Sequence, residues 1–75
     1  MVAHNISEHA LMQRINRILK NDMRQLKKTH GKRTRRDVGD YYILDYNRNI
    51  IKETFVDIEK LGRRLKVLNT NEHLQ

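Results

Sequence analysis

The N-terminal third of the chain has apolar residues spaced three or four positions apart, which is the spacing of one face of an α-helix. Ser7 precedes the series, and serine is a favoured N-cap because its hydroxyl accepts a hydrogen bond from a free backbone N–H. Gly31 follows it. The pattern predicts an amphipathic helix over residues 7–29 whose apolar stripe is Leu11, Met12, Ile15, Ile18, Leu19, Met23 and Leu26.

Two short runs farther along the chain have the composition of β-strands. Tyr41–Tyr46 and Ile50–Phe55 are rich in β-branched and aromatic residues, and the asparagines between them tolerate the left-handed conformation of a tight turn. The pattern predicts a β-hairpin over residues 41–55. Alternation puts Tyr42, Leu44 and Tyr46 on one face and Tyr41, Ile43 and Asp45 on the other, and one of these sets should be core.

A second amphipathic helix is predicted over residues 57–68, with Asp57 as its N-cap. Gly62 borders its apolar stripe and would allow the hairpin to approach closely. The polar tail, residues 69–75, should be frayed. The pattern therefore predicts that residues 1–75 form one α+β domain of order α-β-β-α, with a long basic helix, a hairpin and a shorter C-terminal helix.

The segment from about Asp40 to Leu68 reads DYYILDYNRNIIKETFVDIEKLGRRLKVL. It resembles short uncharacterised bacterial proteins that have a tyrosine-rich strand, an Arg-Asn turn, a second strand and a V-D-[IL]-E-x-L-[GA]-R-x-L helix. The resemblance implies that the hairpin and the second helix form one structural unit. It implies no activity, cofactor or binding residue.

The net charge of +7 is concentrated in one part of the sequence. Between Arg14 and Arg36, ten basic residues accompany a single acidic one, Asp22, for a local net charge of +9. Asp22 projects into the apolar sector of the predicted helix, where it should pair or lie at the edge. Residues 31–39 hold two glycines and no periodicity, which indicates a basic loop. The candidate phosphate-contacting residues are Arg14, Arg17, Lys20, Arg24, Lys27, Lys28, Lys32, Arg33, Arg35 and Arg36.

Catalytic and metal-binding signatures are missing from the sequence. Cysteine is absent, so neither a disulfide framework nor a thiolate zinc site is expected. The four histidines have no i, i+4 spacing, and Ser7 is the only serine. We expect no enzyme activity, cofactor or metal. No apolar run approaches the roughly 20 residues that span a bilayer, so we expect a cytoplasmic protein without membrane contact.

A net +9 over 23 residues attracts polyanions, and arginine's planar fork suits phosphate. The leading hypothesis is a small basic protein that binds DNA or RNA through phosphate contacts. The alternative is a protein-interaction module or regulator that docks on an acidic or strand-edge surface of a partner protein. A charge run that only keeps the protein soluble is the plainer interpretation, and tyrosines stacking on bases are a further possibility.

A homodimer is expected on two grounds. A chain of this length buries only about 60% of the surface that it exposes when unfolded, so its own core is small. A two-stranded hairpin also leaves open edges to which another strand can pair.

Overall fold

A computed structural model of the chain describes residues 4–74 and confirms a small α+β domain, with more elements than the order α-β-β-α. A three-stranded antiparallel sheet packs against helices, and a separate pair of short parallel strands joins the two ends of the chain. The elements are β1 (His4–Ile6), α1 (Glu8–Leu19), a 3-10 turn (Lys20–Asp22), β2 (Arg24–Lys28), α2 (Lys32–Val38), β3 (Tyr41–Asp45), β4 (Ile50–Glu53), α3 (Ile58–Arg64) and β5 (Glu72–Leu74).

The first helix begins as predicted and ends early. Its N-cap is Ser7, whose Oγ accepts a hydrogen bond from the Ala10 N–H at 3.1 Å. The helix stops at Leu19 instead of residue 29, because the 3-10 turn contains asparagine and aspartate, which are poor helix formers, and Met23 then adopts a left-handed φ of 58°. Asp22, predicted in the apolar sector, is exposed in this turn.

The predicted hairpin is confirmed as β3 and β4. The Asp45 carboxylate accepts hydrogen bonds from the N–H groups of Asn47 and Arg48, both at 3.1 Å, and Asn49 has a φ of 57°. The sequence did not predict that β2 would pair with β3 and make β3 the central strand. The outer strand, β4, has a register shift where β3 passes from Ile43 to Leu44.

Residues 31–39, predicted to be a loop, contain the short helix α2. It lies between Gly31, with a φ of 88°, and Gly39, with a φ of 81°. Gly39 also touches the chain after β4, since a Cβ built there would lie 2.7 Å from the Phe55 Cα. The helix was missed because Val38 is its only apolar residue, so no periodicity marks it.

The C-terminal region is more ordered than predicted. The Asp57 cap is confirmed by hydrogen bonds to its Oδ1 from Glu59 N (3.0 Å) and Lys60 N (3.1 Å), but α3 ends at Arg64 and not at residue 68. Positive φ at Lys66 turns the chain away from the helix. The predicted frayed tail was wrong over Glu72–Leu74, which pair with β1; Gln75 lies outside the described residues.

The hydrophobic core lies between α1, α3 and one face of the sheet. Gly62 of α3 lets this helix approach α1 closely, since a Cβ there would lie 2.9 Å from Leu11 Cδ1. The prediction of a close approach was right, but the neighbour is α1 and not the hairpin. The buried core residues are Ile6, Leu11, Ile15, Leu19, Leu26, Ile43, Ile58, Leu61 and Leu68.

The inward face of α1 generates the first prediction. Ile15 is fully buried, whereas Ile18, three residues later, is 39% exposed. Ile15→Asp should unfold the domain because an unpaired carboxylate would be buried, while Ile18→Asp should change the free energy of unfolding by less than about 1 kcal/mol. Circular dichroism during thermal denaturation measures both. Equal melting temperatures would contradict this packing.

Candidate nucleic-acid interface

The ten candidate basic residues do not share one helix face, because the predicted long helix is divided into several elements. Arg14 and Arg17 lie on α1 and Lys20 begins the 3-10 turn. The other seven lie on β2 (Arg24, Lys27, Lys28) and on α2 (Lys32, Arg33, Arg35, Arg36). The positive charge is therefore distributed over a helix, an edge strand and a short second helix.

Arg14 has a structural role in this fold. Its Nη1 donates to both carboxylate oxygens of Glu72, at 2.9 and 3.1 Å, and to the Val67 carbonyl at 3.1 Å. Arg63 of α3 contacts the same segment by donating to the Glu72 carbonyl at 2.9 Å. These part-buried bonds hold the C-terminal strand against the helices, so the Arg14 guanidinium is occupied within the protein.

Two other candidates have acidic neighbours at the surface. Lys28 Nζ lies 2.9 Å from Glu8 Oε1, and Arg35 Nε lies 3.1 Å from Asp40 Oδ1. All four side chains are more than one-third exposed, and exposed pairs of this kind contribute about 0–1 kcal/mol. A phosphate could replace either carboxylate at little cost in stability.

Helix α2 presents three cations on its outer side. At 3.6 residues per turn, Lys32, Arg33 and Arg36 fall within a sector of about 100° that is centred roughly opposite the buried Val38. Within residues 4–74, no carboxylate lies within 4.0 Å of any of the three. The three exposed side chains of Lys32, Arg33 and Arg36 are called the α2 cations below.

The face of the sheet opposite the core is partly open. The predicted alternation is confirmed, since Ile43 and Asp45 are buried on the core face while Tyr42 and Leu44 are only half-buried. Lys27 pairs with Tyr42 in the ladder, so the two share this open face. A cation thus lies beside an aromatic ring on a surface that water or a ligand can reach.

A groove of about 460 Å³ runs between α1 and β2. Sequence reasoning gave its histidines, His9 and His30, no role, and it could not have placed them together because β2 was predicted as helix. They line the groove with Lys27, Lys28 and Tyr42, among other residues. The groove therefore joins the basic strand to the open face of the sheet.

Asn16 of α1 holds the edge of β2 beside the groove. Its Oδ1 accepts a hydrogen bond from the Leu26 N–H at 2.6 Å, and its Nδ2 donates to the Leu26 carbonyl at 3.3 Å. The amide side chain makes the two bonds that a neighbouring strand would make. The backbone N–H and C=O of Leu26, in the middle of the outer edge of β2, are therefore hydrogen-bonded within the chain. These bonds fix the basic strand against the helix.

A small polar network links the start of α1 to the sheet. A hydrogen bond from the Tyr41 hydroxyl, together with the Lys28 ammonium, holds the pKa of Glu8 below its ordinary value of 4.5. Burial and the bond to Glu8 raise the pKa of Tyr41. Tyr41 therefore remains a neutral donor and Glu8 a charged acceptor at neutral pH.

Within residues 4–74, no three histidine or acidic side chains are placed so that they could hold a metal ion. None of the helices in this part of the chain is long and apolar enough to cross a membrane. The surface chemistry that remains is positive charge beside polar and aromatic groups.

Three comparisons with known proteins returned no match: no protein family model, curated protein sequence or solved structure matches this chain.

The Asn16 contact generates the second prediction. Asn16→Ala removes both bonds to Leu26 and should lower the free energy of unfolding by about 1–3 kcal/mol, the cost of leaving part-buried backbone groups unsatisfied. Gln13→Ala, at an exposed position on the same helix, is the control and should have almost no effect. Chemical denaturation measures both variants, and equal effects would show that Asn16 does not hold the edge.

The Glu8 network generates the third prediction. Because the pKa of Glu8 is lower in the folded chain than in the unfolded chain, its interactions stabilise the fold above pH 4.5 and are lost as the pH falls through the folded value. Glu8→Gln should therefore show a shallower loss of stability on acidification than the wild type. Denaturation curves from pH 7 downward test this, and parallel profiles for the two proteins would contradict it.

Proposed function

We propose that this protein binds nucleic acid through phosphate contacts made by the α2 cations and by basic residues of β2 and α1. The observation that carries the proposal is the outward, unpaired arrangement of Lys32, Arg33 and Arg36 on one side of a short helix. Three cations on one side of a short helix attract a polyanion more strongly than the same charges scattered over a surface.

The geometry narrows the set of candidate contact residues. Arg14 is not among the proposed phosphate contacts, since its guanidinium is bonded to Glu72 and Val67. Arg24 is only part-exposed and lines a hollow with two carboxylates, those of Asp22 and Asp45, so it is a secondary candidate. The proposed primary contacts are the α2 cations together with Arg17, Lys20 and Lys27.

Binding of this kind is electrostatic and does not depend on base sequence. Phosphate contacts position a protein on the nucleic acid without reading bases, and each contact displaces counterions, so the affinity falls with salt. Tyr42 beside Lys27 offers a surface for stacking of an unpaired base, which would favour single strands over duplexes. DNA and RNA backbones present the same phosphate chemistry to the α2 cations.

The second candidate function is binding to a protein partner. The outer edge of β4 favours it, because no strand within residues 4–74 pairs with that edge and an exposed edge strand can pair with a strand of another protein. The two functions respond differently to salt: phosphate binding weakens steeply, whereas strand pairing persists. The salt dependence of binding therefore separates them.

The proposed function generates the fourth prediction. Replacing Lys32, Arg33 and Arg36 by alanine should weaken binding to every nucleic-acid sequence alike. The slope of log affinity against log salt should shrink by up to about two to three units, at roughly 0.9 per contact on duplex DNA and 0.7 on single strands. Fluorescence anisotropy with labelled DNA and RNA oligonucleotides, at several salt concentrations, measures this.

The matched control removes the same charge elsewhere. Lys60, Arg64 and Lys66 are exposed on or beside α3, so their replacement by alanine lowers the net charge equally without touching the α2 cations. This variant should keep most of the wild-type salt slope. If the two triple variants lose affinity equally, the site is not on α2. If the wild type binds neither DNA nor RNA at low salt, the proposed function is wrong.

A further inference from the structure

The three-stranded sheet has two outer edges, and they differ in what occupies them. At β2 the outward backbone groups of Leu26 are bonded to Asn16. At β4, no strand within residues 4–74 pairs with the outer side, and all four residues from Ile50 to Glu53 are exposed. The open edge of the sheet is therefore β4.

Hydrogen bonds at the ends of the ladder show which backbone groups of β4 point outward. Tyr46 N donates to Met23 O, and Thr29 N donates to Asp40 O. The backbone N–H and C=O groups of the even-numbered residues of β3 therefore point toward β2. Val56 N donates to Tyr41 O, so the backbone N–H and C=O groups of the odd-numbered residues of β3 point toward β4. The next odd residues, Ile43 and Asp45, pair with Glu53 and Ile50.

Ile51 has the opposite orientation. It pairs with Leu44, whose backbone groups face β2, so the N–H and C=O of Ile51 point away from β3. One donor and one acceptor are thus presented side by side at the open edge. An antiparallel strand pairs with such a residue through two hydrogen bonds.

Exposed apolar side chains concentrate at this edge. Ile50 is 44% exposed and Ile51 is 47% exposed. Natural edge strands usually avoid this combination of unpaired backbone and apolar surface, because it invites pairing with another chain. The composition of β4 therefore favours an occupied edge.

The charge distribution favours a second copy of this chain as the occupant. Two chains that each carry +7 repel one another, so their association is most favourable where the local charge is small. Residues 41–55 hold two basic and two acidic side chains, Arg48 and Lys52 against Asp45 and Glu53. The opposite edge of the sheet is the basic strand β2, which holds Arg24, Lys27 and Lys28.

We infer that β4 pairs antiparallel with β4 of a second copy, about a two-fold axis at Ile51. A two-fold perpendicular to the sheet keeps the core faces of both copies on the same side. Centring it on Ile51 places two isoleucines opposite each other, joined by two backbone hydrogen bonds, and such β-branched pairs are favourable. Centring it on Lys52 would instead oppose two ammonium groups.

The resulting sheet has six strands, with β2 of each copy at its ends. At a spacing of about 4.8 Å between neighbouring strands, the two β2 strands are about 24 Å apart. The basic β2 strands thus lie at the two ends of the dimer's sheet. This interface does not depend on the proposed nucleic-acid binding.

The fifth prediction is that the protein dimerises as its concentration rises. Sedimentation equilibrium over a concentration series, from micromolar to millimolar, measures this. The wild type should pass from the 9.1 kDa of one chain to twice that mass. Dimerisation should strengthen as salt screens the repulsion between copies, the reverse of phosphate binding. Amide hydrogen exchange should slow at Ile51 as the dimer forms.

Two substitutions at the edge should abolish the dimer. Ile51→Pro removes an N–H that faces outward, a position at which an edge strand tolerates proline, so the fold should persist. Ile51→Lys opposes two charges across the axis and leaves the backbone intact. The matched controls are Ile51→Val, which keeps the N–H and the β-branch, and Ile18→Lys, which alters an exposed apolar residue of α1; both should dimerise as the wild type does.

Two results would overturn the inference. One is a wild type that stays monomeric at every concentration and salt, which would leave the β4 edge for a strand of a different protein. The other is a dimer that persists in both Ile51→Pro and Ile51→Lys, which would place the interface elsewhere on the chain.

Discussion

The contact of α1 with β2 is the constraint on which the rest of the structure depends. The left-handed turn at Met23 reverses the chain, so that Leu26 is buried beneath the helix it follows. Asn16 then bonds to both backbone groups of Leu26, which fixes the strand beside the helix. Because β2 is held there, β3 becomes the central strand and β4 the open edge.

This arrangement separates charge from apolar surface. The basic residues Arg24, Lys27 and Lys28 lie on β2 at one edge of the sheet, while β4 at the other edge carries exposed apolar residues and balanced charge. A polyanion and a second copy of the chain would therefore approach different parts of the molecule. Pairing through β4 would give a dimer with a basic β2 strand at each end of its sheet.

The sequence predicted those elements that have local signals. Ser7 and Asp57 cap helices by side-chain hydrogen bonds, and Asn49 adopts the left-handed turn conformation, all as expected from their residue types. Leu26 was wrongly predicted to lie in the first helix, since it continues the helical spacing of Leu19. As a residue of β2 it is buried equally well. The α2 cations were among the candidates, but their shared face became visible only once the helix between Gly31 and Gly39 was known.

The proposed binding of nucleic acid by the α2 cations and the adjacent basic residues is tested most directly by NMR titration of the isotope-labelled chain. Single-stranded and duplex oligonucleotides would be added at low salt while the backbone amide signals are followed. The predicted result is that shifts concentrate within residues 17–36, strongest on α2, and reverse when salt is added. Shifts confined to β4 or α3, or no shifts with either oligonucleotide, would contradict the proposal.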